Sequence, residues 1–147
     1  SKDNKTFLHA RFGLGDDPLE PYKDVIICWI NPPGLRNPVS VSKAKKAISD
    51  YKKAQGQSDG LAELTVFYCE EALDLLAGCG MDEESFYDAL VRMFEQALRY
   101  ALALPKARQA PFLDRLDRVR QSGEGVGWGV GDDFNQFWSE AGLARDE

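Results

Sequence analysis

Residues 82–105 read DEESFYDALVRMFEQALRYALALP, and their apolar spacing points to the fold. Phe86, Leu90, Met93/Phe94, Ala97, Ala101 and Leu104 recur at three- and four-residue intervals, the period of one helical face. Asp82 stands where an N-cap belongs. Glu83 and Glu84 follow in the first turn, where the helix dipole favours negative charge. Pro105 closes the segment. The preceding segment, about residues 60–77, is opened by Ser58-Asp59 and broken by Gly78-Cys79-Gly80. Its apolar residues (Leu61, Leu64, Phe67, Tyr68, Ala72, Leu75 and Leu76, with Val66 and Leu73) cover more than one stripe. Such breadth predicts a central helix contacted on two sides.

Working outward, Asn4 to Phe12 forms a further helical pattern, ended by Gly13-Leu14-Gly15. Asp17 and Pro18 then provide an N-cap and a first helical residue. Leu19, Tyr22, Val25/Ile26 and Trp29 follow on one face, and Asn31-Pro32-Pro33-Gly34 stops the helix. Ser40 or Ser42 caps the next, which runs to about Gln55 with a stripe of Ala44, Ala47, Ile48, Tyr51 and Ala54. Phe112, Leu113, Leu116 and Val119 mark another helix, with Pro111 near its start. A glycine loop leads to a last helix from Asp133 to about Ala141, capped by Asp132 or Asp133. These elements predict an all-α fold: a single-domain bundle or short superhelix of about six helices over residues 1–147, with mostly antiparallel neighbours. Residues 142–147 are expected to fray. The expected core comprises Ile26, Trp29, Ile48, Leu64, Phe67 and Leu75, with Phe86, Leu90, Phe94, Leu98, Leu116 and Trp128.

The 147 residues suit one domain, and 44% hydrophobic and 29% charged residues are ordinary for a soluble globular protein. No apolar run approaches the ~18 residues of a membrane span. No basic stretch leads into an apolar run at the start, so no signal peptide is expected. The chain opens on Ser1 rather than Met, as a trimmed chain or a piece of a longer one would. The three cysteines, Cys28, Cys69 and Cys79, have no paired spacing and read as reduced thiols of a cytoplasmic protein. Cys28 and Cys69 are expected to be buried. A net charge of −6 argues against nucleic acid or an anionic membrane as partner of the whole surface.

Four features invite a chemical reading. The loop Gly123-Glu124-Gly125-Val126-Gly127-Trp128-Gly129-Val130-Gly131 precedes a helix, and a helix N-terminus can hold an anion. Asp132-Asp133 at the junction would repel phosphate, so Gly125, Gly127, Trp128, Gly129 and Asp132 read as a tight structural loop, with Trp128 on the core. Lys43, Lys45, Lys46, Lys52 and Lys53 face one acidic residue, Asp50, on a single helix. They form a solvated face or a site for an acidic protein or a phosphate backbone. Glu70, Glu71 and Asp74 resemble the magnesium run of all-α nucleotide pyrophosphohydrolases. That site needs a second acidic pair upstream at Glu-x-x-Glu spacing, and the upstream helix carries lysines instead. His9, the sole histidine, completes neither a triad nor a zinc set. No catalytic residue, metal site or cofactor motif emerges. Phe134, Phe137, Trp138 and Leu143 are expected to close the bundle; left exposed, they would form a partner surface.

Three stretches occur in an order that resembles an uncharacterised bacterial family of small helical proteins. They are Val41 to Lys53 (a KAISDYKK-like lysine helix), Ser85 to Leu90, and Gly125-Val126-Gly127-Trp128-Gly129 with Asp132 behind. The resemblance spans about residues 38–135 and implies an all-α fold with no assigned activity. The function expected is a non-enzymatic cytoplasmic interaction module with a protein partner. The alternatives are a metal-dependent nucleotide hydrolase using Glu70, Glu71 and Asp74, or nucleic-acid binding by the lysine helix.

Overall fold

The computed structural model describes residues 19–31, 39–78, 84–125 and 129–143. Among them are six helices and no strand: α1 (Glu20–Ile30), α2 (Val41–Ala54), α3 (Ser58–Gly78), α4 (Glu84–Leu102), α5 (Lys106–Gly123) and α6 (Val130–Glu140). The chain is an all-α bundle. Each helix packs on the next, and α3 also touches α1 and α5. The broad apolar surface of α3 is thereby used: Leu61, Leu64, Val66, Tyr68, Ala72 and Leu76 are all buried. α4 puts Phe86, Leu90, Met93, Phe94, Ala97 and Ala101 into the core. Phe94 stacks on Phe134 of α6 with ring centroids 4.3 Å apart. Phe137, Trp138 and Leu143 pack partly buried against the same core, so the aromatic tail closes the bundle.

Several expectations need correction. Trp29 and Phe67 are only partly buried. Cys28 is exposed, because the buried side of α1 is set by Ile26 and Ile30, and Cys28 lies about half a turn from each. Ala54 is exposed at the C-terminal end of α2. α3 begins at Ser58, so Ser58 and Asp59 sit in its first turn rather than before it, where Asp59 pairs with Arg108. α5 begins at Lys106 with Pro105 as its N-cap and carries Pro111 inside. The carbonyl that Pro111 leaves without a helical donor belongs to Ala107, an exposed residue. Gln109 secures this junction by donating its amide to the carbonyls of Leu102 (3.1 Å) and Leu104 (2.8 Å).

The last helix also starts earlier than its aspartates suggest. Gly129, at φ +73°, is its N-cap, and Asp132 and Asp133 occupy the first turn. There they still complement the helix dipole. The chain crosses itself tightly here: a Cβ at Gly131 would come within 2.8 Å of the Glu124 Cα. Gly127, Trp128 and the expected helix over residues 4–12 lie outside the described residues, as do His9, Asp17, Pro18, Cys79 and Asp82.

Candidate functional site

The site at α1 and α2 begins with a cap. The Ser40 hydroxyl accepts the amide hydrogen of Lys43 (3.3 Å), and the Ser40 amide donates to the Trp29 carbonyl (2.8 Å). The first bond caps α2, and the second pins its start to the end of α1. Lys43 is thus held above the Trp29 ring, its Nζ 4.2 Å from the ring centroid, a cation–π contact. The aromatic residue of the lysine helix, Tyr51, is buried; the fold supplies an open ring from the neighbouring helix.

α1 carries two apolar faces. Ile26 and Ile30 enter the core. Tyr22, Val25 and Trp29, spaced i, i+3 and i+7, instead form one wall of a groove of about 740 Å³, and Lys43, Lys46 and Ala47 of α2 form the other. Val25 is the one large hydrophobic side chain that is exposed among the described residues, at 38%. Tyr22 is braced from below by Tyr51, edge to face at 5.3 Å. Lys46 is steadied by Asp50 at 3.0 Å. Of the other expected binding lysines, Lys45 and Lys52 lie toward α4, and Lys53 lines neither opening.

The acidic run is placed differently. Glu70 accepts two hydrogen bonds from Arg115 of α5, at 2.9 and 2.7 Å. Arg115 also reaches Glu63 (2.7 Å), which pairs with Lys23 of α1 at 3.0 Å. On the other side, the Asn31 amide donates to Glu71 (3.0 Å) and Asp74 (2.8 Å). Burial, opposed by the Asn31 bond and reinforced by Asp74 and Glu70, raises the Glu71 carboxyl above its ordinary value. Burial also works against the Glu63 charge, but Arg115 and Lys23 together outweigh it and hold that carboxyl low. The Arg115 guanidinium is raised, chiefly by its bonds to Glu70. These carboxylates serve as ties between helices. Among the described residues no group of three or more His, Cys, Asp or Glu side chains converges as a metal site would, and no helix is long and apolar enough to cross a membrane.

Glu63, Lys23 and Arg115 escaped the sequence reading. The only signal was the i, i+7 spacing of Glu63 and Glu70, which puts these two acids of α3 on one face. Comparisons with protein-family models, curated proteins and solved structures found no match.

Proposed function

We propose that this protein is a non-enzymatic interaction module whose α1–α2 groove receives a segment of a partner protein. The observation that carries the reading is the Tyr22/Val25/Trp29 stripe. Its spacing is that of a buried helical face, yet it is left half-open beside a second, fully buried face of the same helix. Open apolar stripes rimmed by polar groups characterise binding surfaces. Lys43 adds a second argument. It sits in the first turn of α2, where no acidic residue offsets the helix dipole, so helix stability disfavours it. Local conflicts of this kind are expected at functional or strained sites. On this reading the protein works in the cytoplasm and belongs with the helical family that residues 41–53, 85–90 and 125–132 resemble.

The test is affinity capture by the tagged full chain from a lysate of its source, comparing wild type with Val25→Asp, Trp29→Ala and Lys53→Gln. The expected outcome is a protein held by wild type and Lys53→Gln and lost with the two groove variants. Val25 is exposed enough to accept aspartate without unfolding, which circular dichroism checks. Capture unchanged by Val25→Asp, or no capture by wild type, would overturn the reading.

A further inference from the structure

A second opening lies on the other flank of α2, between it and α4. It has a volume of about 360 Å³, within the lower part of the ~300–1,000 Å³ range of small-molecule sites. From α2 come Lys45, Ser49 and Lys52, spaced i, i+4 and i+7 on one ridge. From α4 come Gln96 and Tyr100, spaced i, i+4 on the facing ridge. Ile48 and Met93, both buried, form an apolar floor. Lys46 stands at the rim, turned toward Asp50 at 3.0 Å.

The chemistry of this lining is one-sided. Among the described residues it contains no carboxylate. Lys45 and Lys52 make no ion pair with any described residue. Glu95, which precedes Gln96 on α4, is engaged by Arg99 at 3.1 Å. Two ammonium groups with no counter-charge face two hydroxyls and an amide, all able to donate. In a chain of net charge −6, such a concentration of donors and positive charge suits a compact dianion with several acceptor oxygens, and lysine binds phosphate as a point charge. The Ile48/Met93 floor gives an ester's organic portion apolar surface that inorganic phosphate would not use.

We propose that the α2–α4 pocket binds a small phosphomonoester, with the phosphate among Lys45, Ser49, Lys52 and Tyr100 and the organic portion over Ile48 and Met93. Of its lining only Lys46 also borders the α1–α2 groove, and Val25→Asp leaves the pocket's own residues unchanged.

The test is an amide-resolved NMR titration of the full chain with phenyl phosphate and, separately, inorganic phosphate. Phenyl phosphate should give saturable shifts at residues 49–52 and 96–100 together, and bind more tightly than inorganic phosphate. The double variant Lys45→Gln/Lys52→Gln should weaken it at least about tenfold, the loss of charge-assisted contacts. Lys53→Gln, outside the lining, should stay within about twofold of wild type, as a screened surface charge does. Equal weakening by Lys53→Gln and the double variant would show diffuse attraction to the lysine helix and overturn the site. So would the absence of saturable shifts, or equal affinity for inorganic phosphate. A phosphoserine peptide that binds more tightly than phenyl phosphate would overturn the assignment to a small ester.

Discussion

Glu71 shows how one side chain can work against the fold that holds it. Its carboxylate is partly removed from water beside Glu70 and Asp74, and the single Asn31 bond does not fully compensate. Its folded pKa therefore lies above the ordinary 4.5. The native state then binds a proton that the unfolded chain has already released. Stability falls as pH rises from about 4.5 through the folded pKa, and the loss persists at neutral pH. Glu71→Gln keeps an oxygen for the Asn31 amide and removes the charge. It should raise stability at pH 7 by about 0.5 kcal/mol, the scale of a partly exposed charge, with the gain vanishing near pH 4. Urea denaturation at the two pH values measures this, and a less stable variant at pH 7 would show that the carboxylate is needed. The sequence displayed the acidic run but could not assign its role. Asn31 lies some forty positions away, and only the folded chain brings its amide between two carboxylates.

At the level of single helices, periodicity carries far and boundaries do not. The faces of α3 and α4 were readable because so many apolar residues repeat in phase. α1 was harder, because eleven residues carry two apolar stripes about a quarter-turn apart and the sequence does not say which one meets the core. Boundaries slipped where caps compete, as at Ser58, Pro105 and Gly129. Half of each candidate site was legible for the same reason. The lysines lie on one helix and are seen together, whereas Trp29, Gln96 and Tyr100 arrive from others. The α2–α3 junction makes a sharper case. Gly60 lies inside α3, where alanine would ordinarily favour the helix by about 1 kcal/mol. Yet a Cβ at Gly60 would overlap the ring and hydroxyl of Tyr51, which is 3% exposed and braces Tyr22 at the groove. Gly60→Ala should therefore destabilise by about 1–3 kcal/mol, the range for overpacking, and shift the near-ultraviolet signal of the tyrosines. A stabilised variant would mean that Tyr51 swings aside freely and that the groove wall is not rigid.

Across the whole bundle, the hydrophobic core draws the helices together but specifies few partners, since leucine and phenylalanine faces are interchangeable to first order. The Lys23–Glu63–Arg115–Glu70 chain adds that specificity by joining α1, α3 and α5 through directional bonds. Its members lie at 20–35% exposure, between the surface pairs that contribute little and the buried ones that are costly to break. Replacing Arg115 by Met retains much of the side chain's apolar bulk and leaves Glu70 without its partner and Glu63 with Lys23 alone. The cost at pH 7 should be about 2 kcal/mol, set by two half-buried carboxylates losing charge-assisted bonds. The acid side follows from Glu63, whose folded pKa is held below the ordinary 4.5. Its stabilising contribution is complete above that value and lost as pH falls through the folded pKa. Arg115→Met should accordingly lose less stability than wild type on going from pH 5 to pH 3, so the two denaturation midpoints converge in acid. Parallel midpoints with a constant offset would show that Arg115 acts through packing alone, leaving the order of the helices to the apolar core and the short connections.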